Sequence, residues 1–183
     1  MIKQEQILDE KKDKILRQIS KDVKFPIDDE TKKLINDITS YLRLSQDEKY
    51  AKKHNIRPGM GLSFVQLGYL KRIFIISYKR ENGTFEEYTI INPKEISLSQ
   101  ELIYVEEGEG CLSVNKEVDG IVLRNARISI EYYDLEGNKK ELRVREEIAV
   151  AFQHEIDHLN GILFIDRIDN YNPNKGKDIY RAI

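Results

Sequence analysis

Residues 153–161 read QHEIDHLNG, which places two imidazoles and a carboxylate at a spacing suited to hydrolytic chemistry. His154 and His158 are four residues apart, so on a helix both rings leave one face, about one turn from each other. Rings placed in this way can reach one divalent cation at roughly 2.0–2.1 Å. Glu155 lies about 100° further round such a helix. From there it reaches a water on the ion rather than the ion itself, as a general base should. Two histidines are one protein ligand short of the usual catalytic set.

The third ligand decides which chemistry follows. Gly161 stands where the longer H-E-x-x-H-x-x-G-x-x-H pattern has its glycine, but Phe164 takes the place of the final histidine. After His158 the chain has no histidine and no glutamate; Asp166, Asp169 and Asp178 are the acidic groups left. Upstream, His54 in KKHNIRPG reads as a solvated loop residue. Cys111, the only cysteine, follows glycines in EGEGCLSV, and a thiolate is a strong ligand for zinc or ferrous iron. Cys111, His154 and His158 with one open position is the preferred site. An aspartate third ligand, as in a zinc endopeptidase, is the alternative, and a lone cysteine is otherwise a small buried hydrophobe.

These side chains need elements to hold them. Ile148, Ala151, Phe152, Ile156 and Leu159 recur at helical spacing around the histidines, with acidic residues before them and Gly161 as the stop. A second amphipathic helix is expected over DDETKKLINDITSYLRLS, with Leu34, Ile35, Ile38, Tyr41 and Leu42 on one stripe and Asp28 or Asp29 as its cap. Ser45 and Glu48 have capping-box spacing for a short helical stretch up to His54. Strands are expected at 72–79 and 85–91 across an Asn82-Gly83 turn, with Asn92-Pro93 as an interruption. Further strands are expected at 96–105, at 121–133 as one long strand, and at 139–144. The expected class is α+β, with antiparallel sheets packed around a central metal-binding helix. Residues 1–27 read as an arm wrapped on a single domain spanning 1–183, and 170–183 as a tail.

Composition narrows the function classes. The chain has 183 residues, 40% hydrophobic and 34% charged, with a formal net charge of −2, so no nucleic-acid face is expected. The polar first residues do not read as a signal peptide, and apolar runs such as IFII at 73–76 are too short to span a bilayer. One cysteine excludes an internal disulfide framework and fits a reducing, cytoplasmic setting. No feature of the sequence demands more than a monomer.

With GMGLSFVQ at 59–66, EGCLS at 109–113 and QHEIDH at 153–158, the chain resembles the peptide deformylases, whose motifs have the forms G-x-G-x-A-A-x-Q, E-G-C-L-S and Q-H-E-x-D-H. The order and spacing match from the first helix to about residue 169, and SQDEKYAKKHNIRPG looks like the insertion of the type II branch. The resemblance implies removal of the N-formyl group from the N-terminal methionine of nascent polypeptides, with transient ribosome contact. It implies Cys111, His154 and His158 as metal ligands, Glu155 as base, and the Gln66 amide and Leu112 N–H beside the reacting oxygen. Gly59, Gly61, Leu62 and Gly110 would border the substrate, and Val150 and Ala151 would line the methionine pocket. Glu109 and Arg124 would brace the cysteine loop, and Asp157 would orient a ligand histidine. Ferrous iron is implied in the cell, with zinc, nickel or cobalt able to replace it in purified protein. One departure stands out: Ser63, Phe64 and Val65 replace two alanines and the usual proline. A ring at 64 stands where a methyl normally packs close to the site, so either the surroundings are smaller or the pocket entrance is altered, which keeps open a non-catalytic relative that binds formyl-peptides or metal without turnover.

Overall fold

The computed structural model describes residues 2–183. Helix α1 (Asp29–Ser45) starts at Asp28, whose carboxylate accepts the Thr31 N–H at 2.6 Å. Helix α2 (Glu48–His54) is capped by Asp47 through the Tyr50 N–H, not by Ser45. Ser45 belongs to the last turn of α1, where its hydroxyl turns back to the Leu42 carbonyl, so it is not free to cap. The strands are β1 (Gly61–Ser63), β2 (Ile73–Lys79), β3 (Phe85–Leu98), β4 (Leu102–Tyr104), β5 (Arg124–Asn125), β6 (Arg127–Tyr133) and β7 (Lys139–Arg145). Helix α3 (Glu146–Leu159) and the short β8 (Arg181–Ala182) complete the order.

The larger sheet runs β1-β2-β3-β6-β7 and is antiparallel throughout. A smaller sheet, β5-β4-β8, joins β4 to β8 in parallel. Both pack around α3, the helix that carries the histidines, which is the α+β arrangement expected. No helix is long and apolar enough to cross a membrane among the described residues.

Three strand boundaries differ from the sequence reading. The stretch expected as a strand at 96–105 is divided, 96–98 closing β3 and 102–104 forming β4, which belongs to the other sheet. Asn92-Pro93 does not end β3; the pairing with β6 shifts register there and continues to Leu98. Asn92 takes a left-handed backbone (φ 49°), which asparagine tolerates, and its amide exchanges two hydrogen bonds with the main chain of Val23 in the arm. Residues 121–133 are not one strand. The chain bends at buried Ala126, so β5 pairs with β4 and β6 pairs with β3 and β7. The apolar pattern runs across the bend, and only the hydrogen-bond partners change.

Strand β2 is buried along its first five residues because it is covered on both sides. Alternation sends Ile73 and Ile75 into a core with α1 and the arm, and Phe74 and Ile76 into a core with α3. Phe152 of α3 anchors the second core, meeting Phe74 and Tyr88 edge-to-face at 5.2 Å each. Strand β7 runs into α3 with no loop between. The turn is made at Glu146, in left-handed backbone (φ 55°), whose carboxylate takes two 2.9 Å bonds from Arg181 of β8.

The arm lies over the helix end and the site loops. Ser20 N–H donates to the Leu159 carbonyl at 2.8 Å. Leu8 N–H donates to Gln66 O, and Glu10 N–H to Ser113 O, at 2.9 Å each. Gly161 lets the arm pass, since a Cβ there would stand 2.5 Å from the Arg17 carbonyl. Phe152→Ala should empty the α3 core and lower unfolding stability by about 3–5 kcal/mol in urea titrations.

Candidate metal centre

Helix α3 turns its apolar stripe (Ala149, Phe152, Ile156, Leu159) to the sheet. The opposite side presents His154 and His158, with ring centroids 5.0 Å apart. The loop after β4 brings Cys111 to them, its Sγ 3.2 Å from His158 Nε2. The ligand atoms of Cys111, His154 and His158 lie within 4.8 Å of one another, one soft sulfur and two imidazole nitrogens around a common point. That donor set fits a divalent transition metal. None of the later aspartates belongs to this cluster. Asp166 accepts from the Leu163 N–H and Arg17, Asp169 from the N–H groups of Tyr171 and Asn172, and Asp178 is exposed. Phe164 does reach the centre, but as a wall: its ring stacks on His154 at 6.0 Å.

The surrounding charges set up a place for a cation. Glu109 Oε2 bonds His154 Nδ1 at 2.8 Å, which leaves Nε2 for the cluster. Burial alone would raise the Glu109 pKa, but His154 and Arg124 together hold it down to about 2. Burial likewise opposes charge on His154, yet its bonds to Cys111 and Glu109 outweigh that and raise it well above the ordinary value. His158 goes the other way, pushed well below its usual value by burial and by the cations His154 and Arg124. Arg124 stands behind, giving Nε and Nη2 to Glu109 and Nη1 to Asp157 at 2.6–2.9 Å. Asp157 is buried and also receives a fork from Arg167, so it does not face solvent; nor does it orient a ligand histidine directly, since its partners are the two arginines and the carboxylate on His154 is that of Glu109.

A cavity of about 530 Å³ opens onto the cluster. Gly59, Gly61, Gln66, Glu109, Gly110, Cys111, Leu112, Val150, Ala151, His154 and Glu155 all line it. Leu62 does not: its side chain is fully buried in the arm-side core. Phe64 is likewise absent from the cavity wall. Its ring sits in the arm-side core and meets Tyr69 edge-on at 6.3 Å, so it does not crowd the pocket. Gln66 is buried, with Oε1 taking the Ser63 N–H at 2.8 Å and Nε2 turned to Ser113 Oγ (3.2 Å) and Cys111 Sγ (3.8 Å). Burial pushes the Glu155 pKa up to about 7, against the opposing pull of His154 and the Ser63 hydroxyl.

Three neighbours of the site were not singled out from sequence. Arg57, on the cavity wall, donates to the Leu112 and Val114 carbonyls and so pins the cysteine loop. Its partners lie 55 and 57 residues away, and no local pattern announces them. Ser113 receives the Gln66 amide. Ser63, noticed only as a departure, donates to Glu155, and its two-residue spacing from Gly61 was the available signal.

Comparison with known proteins agrees with this geometry. The sequence profile described as "Polypeptide deformylase" matches residues 5–174. The chain is 46% identical over 155 residues to a peptide deformylase of Shouchella clausii, covering 85% of each chain. It also superposes on solved structures. A plant peptide deformylase gives a TM-score of 0.75 at 27% identity, with 94% of this chain and 84% of that one covered. The Plasmodium falciparum peptide deformylase gives 0.72 at 31% identity, with coverage of 94% and 91%.

Glu109→Gln should weaken metal binding by about 10–100-fold in chelator competition, because His154 loses its orienting carboxylate. The metal-free protein should also show a pH dependence. A carboxylate lowered from 4.5 to about 2 on folding stabilises the fold fully above 4.5, and that stability is lost as pH falls towards 2. Urea midpoints should drop across that window, and less steeply in Glu109→Gln.

Proposed function

The chain belongs to the polypeptide deformylase family, and from that premise we propose that it hydrolyses the N-formyl group from the N-terminal methionine of new polypeptides, releasing formate. The observation that carries this reading is one cavity lined together by the cysteine, a ligand histidine, the buried glutamate and the glutamine amide. A divalent cation held by Cys111, His154 and His158 supplies, when bound, the Lewis acidity that lowers the pKa of water and polarises a carbonyl. Our assignment in the cell is ferrous iron; zinc, nickel or cobalt suit the same thiolate and imidazole donors in purified protein.

Glu155 is the proton carrier. Its carboxylate takes a proton from the attacking water and passes it to the leaving amine nitrogen. Burial raises its pKa towards neutrality, the direction that suits a group that accepts and then donates a proton. While the formyl carbon becomes tetrahedral, negative charge grows on its oxygen. Gln66 Nε2 and the Leu112 N–H are the donors we assign to it, each contributing about 3 kcal/mol. The bond from the Ser63 N–H to Gln66 Oε1 supports this, because it leaves Nε2 as the end facing the cysteine loop.

The substrate chain is read as an added strand along β1, the outer strand of the larger sheet, against the main chain of Gly59, Gly61, Leu62 and Gly110. Val150 and Ala151, with Met60 and Val105, give the methionine side chain an apolar wall. We read residues 1–183 as one catalytic domain, since the arm bonds the main chain at both Gln66 and Ser113. The stretch that folds into α2 supports a type II-like branch. We further read the protein as a monomer, since no feature of the sequence demands more, and place it in the cytoplasm in transient contact with the ribosome, where new polypeptides arise. A non-catalytic relative is the weaker reading, because Phe64 leaves the cavity clear.

Anaerobically metal-loaded protein should release formate from formyl-Met-Ala-Ser. Glu155→Ala should lose at least about 100-fold in rate with its metal content unchanged. No formate from the metal-loaded parent protein would overturn the assignment. Cys111→Ser should release metal while Asp178→Ala keeps it; the reverse result would point to an endopeptidase-type ligand set.

A further inference from the structure

Strand β1 sends alternate side chains to opposite faces, so Leu62 enters the arm-side core while residues 61 and 63 face α3. Both meet the Glu155 carboxylate. A Cβ on Gly61 would stand 2.5 Å from Oε1, so that oxygen rests against bare main chain. Ser63 Oγ donates to Oε2 at 2.6 Å, and the Glu155 main-chain carbonyl is its other neighbour at 3.2 Å. The N–H of the same serine donates to Gln66 Oε1 at 2.8 Å. Ser63 is fully buried, so bulk solvent does not compete for these bonds.

We propose that Ser63 is a positioning residue: its hydroxyl fixes the Glu155 carboxylate while its N–H fixes the Gln66 amide, holding the proton carrier and the oxyanion donor at a set separation. The roles of Glu155 and Gln66 rest on the deformylase reading above, whereas the contact itself does not. The alanine usual at this place in the motif has the N–H but no hydroxyl, so the Glu155 half of the arrangement depends on the serine. The competing account is a merely satisfied buried hydroxyl, for which the Glu155 carbonyl would suffice as acceptor. The two accounts differ in what happens to the carboxylate when the hydroxyl is removed.

Ser63→Ala removes Oγ and keeps the N–H bond to Gln66. In metal-loaded protein with formyl-Met-Ala-Ser, kcat should fall about tenfold and KM should stay within about twofold, because a loosened proton carrier affects the reaction rather than binding. In metal-free protein the Glu155 carboxyl infrared band, identified by its loss in Glu155→Gln, should move in Ser63→Ala. Both results are required. An unmoved band, an unchanged kcat or an effect confined to KM each overturns the proposal. If the parent protein releases no formate, the deformylase reading fails instead, and the infrared band still decides whether Ser63 holds the carboxylate.

Discussion

The centre is organised around one guanidinium. Arg124 is 3% exposed, cannot shed its charge, and must be paired where it stands. Its two partners lie on the two pieces of chain that supply the metal ligands. Glu109 belongs to the cysteine loop and reaches on to His154, while Asp157 sits between the two histidines on α3. Moving the loop relative to the helix would strand a buried charge, a loss of about 3–5 kcal/mol when one partner is removed. Such a network adds little net stability over a well-packed apolar one. Its effect is positional: it holds a sulfur contributed by one element and two imidazoles contributed by another in one register.

The sheet supplies the complementary constraint. Because β2 is covered on both sides, its alternate residues tie the α1 core and the α3 core together through a single strand. Strand β1 pairs with β2, so its position over α3 is inherited from that packing. Gly61 and Ser63 then contact Glu155, and the next turn of chain carries Gln66. The arm closes the arrangement by bonding main chain at both Gln66 and Ser113. Residues that touch the chemistry are thus held by elements whose own cores lie elsewhere.

Residues 63–65 are consecutive, yet their side chains turn to different surroundings. Ser63 faces the carboxylate, Phe64 fills the arm-side core against Tyr69, and Val65 is fully buried. Only the first meets the Glu155 carboxylate. The side chains at 64 and 65 are buried away from the cavity, while Gly59, Gly61 and Gln66 line it.

Much of this was legible in the chain itself. Four-residue histidine spacing, an apolar stripe at 3.6-residue period and a terminating glycine determine α3 and the face that carries both imidazoles, because these are local properties of a helix. The lack of a downstream ligand pointed to Cys111, and three motifs in order pointed to the family. Strand limits were less legible. The bend at Ala126 and the continuation of β3 through Asn92 depend on which strand or arm residue offers hydrogen bonds, and local composition does not encode that. The same holds for Arg57 and for Arg124's link to Asp157, which join residues far apart in sequence. The fate of Phe64 was decided by tertiary structure alone. A ring beside a glycine-rich motif can turn to the pocket or to the core, and the space left by the arm and α1 settled which.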